Sequence, residues 1–118
     1  MLIQQDPTQQ FLVRMLDATA TRHKVLSNNL ANAETPGFVR KDLPFEAELA
    51  DAVQRNDVSV FNPSIQEDRV PPMRADGNNI AIDRELVEIN KNALLHQMAL
   101  QILQTKLSIE RTAITGRT

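Results

Sequence analysis

The stretch LSNNLANAETPGF, residues 26–38, ends a helical pattern with three asparagines and then breaks it with a Pro-Gly pair. Asparagine is a poor helix former, because its amide competes for nearby backbone groups. A cluster near a helix end therefore indicates that the amides have partners there. Two interpretations stay open. The helix end is frayed and its amides meet water, or Asn28, Asn29 and Asn32 make polar contacts with neighbouring subunits.

The end of this stretch is predicted to turn the chain. Proline disfavours helix in the residue that precedes it, and glycine tolerates the backbone conformations of turns. Thr35, Pro36, Gly37 and Phe38 are therefore expected to set the angle at which the chain leaves the helix.

An N-terminal helix is predicted within residues 1–35. Asp6 marks its start as the N-cap, Pro7 suits the first helical position, and Gln9 stands where a capping box places it. One face repeats at alternating spacings of four and three residues, as in a helix that packs against a partner. That face comprises Leu12, Leu16, Thr19, His23, Leu26, Leu30 and Ala33.

A C-terminal helix is predicted over residues 83–118, with Asp83 as its cap and Gly116 as its stop. It carries two apolar stripes, and one partner helix is too narrow to cover both. The first comprises Leu86, Ile89, Ala93, His96, Leu100, Leu103, Leu107 and Ile114, and the second Val87, Leu94, Met98, Ile102, Ile109 and Ala113. One stripe is expected to pack on the N-terminal helix and the other on neighbouring subunits. The residues expected to carry helix packing are Leu26, Leu30, Leu100, Leu103 and Leu107.

The central segment, residues 36–82, holds five of the six prolines and is predicted to be mostly irregular. A short helix is expected at residues 44–54, and a brief strand at Val58–Phe61. The predicted fold is therefore all-α. Two long antiparallel helices form a coiled-coil-like hairpin within one assembly domain, and the central segment joins them.

Composition excludes several classes of protein. The 118 residues carry a net charge of −2 with no cluster of Lys and Arg, so nucleic acid is not an expected partner. Cysteine is absent, which removes disulfides and thiolate metal sites. No apolar run approaches the roughly 18 residues of a membrane span, so membrane insertion is not expected. The N-terminus lacks the pattern of a cleavable secretory signal, so export would need another route.

No catalytic set is evident. His23 and His96 both lie on helix seams, where histidine is usually a packing residue, and the neighbouring carboxylates fit solvated faces. The two histidines would face each other in an antiparallel pairing, which is a hypothesis for a mildly pH-sensitive contact. No enzyme activity, cofactor or metal is therefore expected. Two other classes stay open: a helical adaptor or secretion chaperone that dimerises in solution, and a small hydrolase or metal protein.

Residues 26–38 resemble the N-terminal signature of the bacterial flagellar rod and hook axial proteins, an Asn-Asn-Leu-Ala-Asn core followed by Thr-Pro-Gly-aromatic. Three further features resemble a short, proximal-rod member of that family. These are the chain length, the RKDLPFE continuation at residues 40–46, and the DGNN turn at residues 76–79 before a long helix. His96 departs from the pattern, since an aromatic residue commonly precedes the glutamine of the last helix.

The resemblance implies a non-enzymatic structural subunit of the proximal rod of the flagellar basal body, which crosses the periplasm and transmits torque. It implies export without cleavage by the flagellar type III apparatus. The implied partners are copies of the chain, other rod proteins, the membrane-ring adaptor and the export apparatus. The apolar stripes supply a physical reason for assembly, because a lone chain of this size can hardly bury them.

Overall fold

The computed structural model describes residues 6–116, and it is mostly helical, as the sequence predicts. Its helices are α1 (Pro7–Ala31), α2 (Glu46–Arg55) and α3 (Ile82–Thr115), with a short 3₁₀ helix at Val58–Val60. Two two-residue strands, β1 (Lys41–Asp42) and β2 (Gln66–Glu67), pair antiparallel. The molecule is elongated, with extents of 64 × 27 × 20 Å. The parts of the predicted terminal helices at residues 1–5 and 117–118 lie outside the described residues.

The start of α1 confirms the predicted cap. The Asp6 side chain accepts a hydrogen bond from the Gln9 backbone N–H at 2.8 Å, and Pro7 opens the helix. The helix ends at Ala31, a few residues earlier than the predicted limit of residue 35. Beyond it, tighter turns take over, because the N–H groups of Ala33 and Thr35 bond to carbonyls only three residues back.

The start of α3 differs from the prediction. Its N-cap is Ala81, which offers no side-chain hydrogen bond, so the prediction that Asp83 caps the helix is wrong. Asp83 instead lies in the first turn, where a negative charge favours the helix dipole. The helix ends as predicted at Gly116, which adopts a left-handed conformation with φ of 68°.

Hydrogen bonds between α1 and α3 show that the two helices run antiparallel. Asn92 donates its amide to the carbonyl oxygen of Thr19 at 2.7 Å, in the middle of the pair. Toward one end, Asn29 contacts Glu85, and at the other Lys106 pairs with Asp6 at 2.5 Å. Since residue numbers fall along α3 as they rise along α1, the hairpin is confirmed.

The face of α3 that packs against α1 is more polar than the sequence predicts. Its buried residues are Glu85, Asn92 and Ala99. Of the first predicted stripe, Ile89, His96 and Leu103 are half-buried, while Leu86, Leu100, Leu107 and Ile114 are exposed. The prediction that α1 covers one whole stripe is therefore wrong. Glu85 and Asn92 have partners inside the protein, and facing them inward leaves both apolar stripes largely open.

The apolar core lies between α1, α2 and the central segment. Phe45 and Phe61 meet edge to face with ring centroids 6.2 Å apart, against Ala18 of α1 and Ala52 of α2. The predicted strand at Val58–Phe61 is wrong, because Asp57 accepts hydrogen bonds from the backbone N–H and hydroxyl of Ser59 and closes a 3₁₀ turn. Phe61 then follows this turn into the core.

Candidate assembly site

Two distant turns dock on each other at the closed end of the hairpin, and we call residues 32–38 and 74–79 together the clasp. The N–H of Gly37 donates to the carbonyl oxygen of Asp76 at 2.7 Å. Gly77 has a φ of +81°, and a Cβ on it would lie 3.3 Å from the Cα of Gly37. Glycine at residue 77 therefore permits both the left-handed backbone and the close approach of the two chains.

Asn78 closes the C-terminal end of α1 from the opposite turn. It is fully buried, and its amide donates to the carbonyl oxygens of Asn32 and Thr35, each at 2.9 Å. Its own side-chain oxygen accepts the N–H of Ile80 at 2.7 Å. Carbonyls at a helix end lack helical partners, so a buried amide that binds two of them determines where the chain turns.

Arg74 strengthens the same contact. Its guanidinium donates to the carbonyl oxygen of Ala33 and, at 3.3 Å, to that of Ile80. One arginine side chain thus links the end of α1 to the residues that lead into α3. The two turns predicted from the sequence, at residues 35–38 and 76–79, therefore contact each other, and the sequence did not predict this contact.

We predict that Gly77→Ala lowers the free energy of unfolding by about 1–3 kcal/mol, because it combines left-handed strain with crowding against Gly37. Gly37→Ala is the matched control. Its φ is +75°, but nothing lies within 4 Å of the added Cβ, so we expect a smaller loss. Urea unfolding followed by circular dichroism measures both. Equal losses would contradict close packing between the two glycines.

The structure places Asn29 inside the chain rather than at a subunit contact. Its side chain is fully buried, its oxygen accepts the N–H of Lys41 at 3.0 Å, and its amide donates to the Lys41 carbonyl oxygen at 2.6 Å. The amide also reaches Glu85 at 3.3 Å. These bonds use the side chain as a short extension of β1, so it is not available to another subunit.

The two other asparagines of the cluster lie nearer the surface. Asn32 is half-buried and donates to the backbone carbonyl of Asn28 at 2.8 Å, while its oxygen accepts the hydroxyl proton of Thr35 at 3.1 Å. Asn28 is exposed. Of the three predicted contacts with neighbours, Asn28 is therefore the most accessible.

A buried ion pair joins the central segment to α3. The guanidinium of Arg40 donates to Glu85, and their side chains are 5% and 1% exposed. Arg40 also contacts Asp68 at 2.6 Å, and its backbone N–H donates to Asn79 of the clasp at 2.7 Å. Buried charges require such partners, because moving them out of water is costly. Sequence reasoning missed this pair, which brings together residues 45 positions apart.

A second buried arginine, Arg22 of α1, contacts Asp42 at 3.1 Å, Glu46 at 2.8 Å and Glu88 at 3.5 Å. Its guanidinium carbon lies 5.3 Å from the centre of the Phe45 ring. Burial acts to lower the pKa of Arg22, but Asp42 and Glu46 outweigh it and hold that pKa above its ordinary value. Arg22 follows Thr19 by three residues and precedes Leu26 by four, and this spacing places it on the buried face of α1.

The ion pair with Arg22 also affects the pKa of its carboxylate partner Glu46. Burial acts to raise its pKa, but hydrogen bonds from its own backbone N–H and from Arg22 outweigh burial and lower it. Glu46 begins α2, so this charge pairing helps to fasten α2 to α1.

Midway along the hairpin, α1 and α3 border a groove of about 590 Å³ that both histidines line. The single hydroxyl proton of Thr19 goes to the Leu16 carbonyl oxygen at 3.0 Å, so we assign the proton in its 2.7 Å contact with His96 to ring atom Nδ1. His23 is exposed on the same groove. That the two histidines meet stays a prediction. Within residues 6–116, no group of three or more His, Asp or Glu side chains is arranged to hold a metal ion.

Comparison with known proteins identifies the family. The family described as "Flagella basal body rod protein" matches residues 10–38. The flagellar basal body rod protein FlgB of Aquifex aeolicus is 35% identical over 111 residues, which cover 88% of this chain and 90% of that protein. The chain belongs to the FlgB family. FlgB of Escherichia coli K12 is 31% identical, with 91% and 92% covered, and FlgB of Salmonella typhimurium is 30% identical, with 98% and 99% covered. This FlgB-family chain is accordingly a structural protein of the flagellar basal body rod.

The region that matches the family begins in α1 and ends at Phe38, so it contains the first turn of the clasp. Within that turn Thr35, Pro36 and Gly37 are exposed, and Phe38 is half-buried. The second turn lies outside the match. In this FlgB-family chain the first turn of the clasp, which the family match includes, therefore docks on a second turn of the same chain that the match does not include.

The leucines predicted to carry packing fall into two groups in this FlgB-family chain. Leu26 is fully buried, and Leu30 and Leu103 are half-buried within the hairpin. Leu100 and Leu107 are 38% and 41% exposed. The second group is thus accessible to another protein. None of the helices in the described part of the chain is long and apolar enough to span a membrane.

Proposed function

We propose that this chain is a subunit of the proximal rod, and that it assembles through the outer faces of its terminal helices. One observation carries the proposal. Ten of the fourteen exposed large hydrophobic side chains in the described residues lie on α3. Large exposed apolar patches mark sites of association, and neighbouring subunits are the expected cover.

The proposed partners follow from the family resemblance. They are copies of the chain, other rod proteins, the membrane-ring adaptor, and the flagellar type III export apparatus that delivers the chain to the periplasm without cleavage. Asn28 is proposed to add polar contacts with a neighbour, together with the outer side of Asn32. The chain acts in this proposal as a structural element and not as an enzyme.

Torque transmission requires a subunit that does not deform under load. The clasp supports this role, because the buried Asn78 side chain ties the end of α1 to the segment that leads into α3. The Arg40–Glu85 pair ties the central segment to the same place. A close-packed interior has low compressibility and passes strain onward.

The proposal is tested by deleting the gene for this chain from a motile strain and supplying a tagged copy. A tagged chain should restore swimming and should copurify with detergent-extracted basal bodies at the rod. In solution the purified chain should be mainly monomeric by light scattering. A stable dimer that is absent from basal bodies would contradict the proposal and favour the helical adaptor or secretion chaperone.

A further inference from the structure

The groove between α1 and α3 contains a buried oxygen that lacks a donor. Asn92 is 1% exposed and lines the groove, so its side chain forms part of the floor. Its amide nitrogen donates to the carbonyl oxygen of Thr19, while its own oxygen has no hydrogen-bond partner among the described residues. A buried oxygen without a donor costs free energy, and few native side chains are left in that state. The groove is therefore expected to receive a donor from a guest.

His96 adds a second acceptor to the same groove. Its Nδ1–H donates to the hydroxyl oxygen of Thr19 at 2.7 Å, and a neutral imidazole with that proton carries a lone pair on Nε2. Two acceptors without a donor favour a guest that donates and does not accept. An indole N–H has this property, whereas a hydroxyl or a primary amide brings lone pairs that need donors of their own.

The walls of the groove suit a flat ring. Ala20 of α1 and Ala93 of α3 are exposed and contribute only a methyl group each, which leaves the space of about 590 Å³ open. Lys24 is exposed on the same groove, and no ion pair holds its ammonium within residues 6–116. None of the described residues that line the groove carries a carboxylate, so a cationic guest would meet Lys24 without a counter-charge. An ammonium is instead attracted to the face of an aromatic ring, and most strongly to that of tryptophan.

We propose that this groove binds the tryptophan side chain of a partner protein. Indole is flat and apolar, and its single polar group is an N–H. That N–H donates to the free oxygen of Asn92, and the face of the ring contacts the ammonium of Lys24. The chain contains neither tryptophan nor tyrosine, so a second copy of it cannot supply such a ring. The inference goes beyond the proposed function, because binding of the ring does not require entry into a rod.

The first experiment compares indole with indene, a ring of the same shape in which a CH₂ group replaces the N–H. Each is titrated into the full, isotope-labelled chain while NMR follows the side-chain amide of Asn92 and the ring of His96. Indole should bind about two- to tenfold more tightly, the fold-change that corresponds to the net contribution of one hydrogen bond. Equal affinities would overturn recognition through the N–H. Unchanged groove resonances with both rings would mean that the groove holds only water, and would overturn the site.

Substitutions at exposed positions locate the site without disturbing the fold. Ala93→Leu fills the groove and should weaken indole binding at least about fivefold. Ala47→Leu makes the same change at an exposed position of α2 outside the groove and should have no effect. Lys24→Gln should weaken binding about two- to fivefold, whereas Lys91→Gln, outside the groove on α3, should not. Equal binding by the two leucine variants would overturn the groove as the site.

A last comparison identifies the source of the ring. N-acetyl-tryptophanamide has no charged termini and resembles a tryptophan within a protein chain, so it should bind at least as tightly as free tryptophan. Binding of free tryptophan alone would point to a metabolite and overturn the protein partner. Groove resonances that change with protein concentration in the absence of any ring would point to a second copy, with the same consequence. These measurements use the isolated chain, so their outcome is independent of whether the chain enters a rod.

Discussion

Replacing Arg40 by methionine is expected to lower the free energy of unfolding by about 3–5 kcal/mol, the usual range when one partner of a buried ion pair is removed. The physical reason is Glu85, whose side chain is only 1% exposed and would be left inside the protein without its guanidinium. Small domains have total stabilities of about 5–15 kcal/mol. The variant should therefore be largely destabilised in urea titrations followed by circular dichroism.

Arg55→Met is the matched control for this prediction. Arg55 pairs with Asp51 one turn away on α2, and their side chains are 65% and 45% exposed. Exposed pairs of this kind contribute about 0.3–0.5 kcal/mol, so the loss should be small. Adding Glu85→Gln to the Arg40 variant should restore part of the stability, because the unpaired charge is then gone. A double variant no more stable than Arg40→Met would contradict this explanation.

Leu107→Asp is expected to strongly reduce incorporation into the rod while leaving the folded subunit intact. Leu107 is 41% exposed, so the loss in stability should be below about 1 kcal/mol. In a packed interface a carboxylate without a partner costs well over the roughly 1.4 kcal/mol that corresponds to tenfold in affinity. Incorporation, measured by immunoblotting purified basal bodies, should therefore fall at least about tenfold.

Ser108→Asp provides the control on the same turn of α3. Residue 108 is exposed and polar, and it lies about 100° around the helix from Leu107, between the two apolar stripes. The same charge there should reduce incorporation much less. Secretion of the Leu107 variant into the medium should continue, since the substitution leaves the chain soluble and foldable. Normal swimming with Leu107→Asp would contradict the assignment of this stripe to subunit contacts.

The sequence predicted the helices well where local signals agree. At the start of α1, Asp6, Pro7 and Gln9 each act within one turn, so the cap is readable without tertiary information. Gly116 ends α3 for an equally local reason. The prediction that Asp83 caps α3 was wrong. Aspartate is a good capping residue, but the chain adopts the cap conformation two residues earlier, at Ala81.

The assignment of the asparagines shows a different limit. Their residue type left two interpretations open, amides that meet water or amides that contact neighbouring subunits, and it did not identify the partners within the chain. Asn29 binds the backbone of Lys41, and the carbonyl of Asn32 is bound by Asn78, 46 positions away. Sequence spacing carries no information on contacts of that separation. For the same reason the sequence did not predict the ion pair of Arg40 and Glu85, which depends on how the central segment packs against α3.

By itself, then, the amino-acid sequence determined two long helices, an irregular segment between them, and the resemblance carried by residues 26–38. Each of these depends on helix caps, periodicity and turn residues that act over a few positions. Only the tertiary structure decided which side of α3 faces α1. Helical periodicity leaves that rotation open. In the structure the buried Glu85 carboxylate pairs with Arg40 and the amide nitrogen of Asn92 donates to Thr19, and this rotation leaves the apolar stripes facing outward.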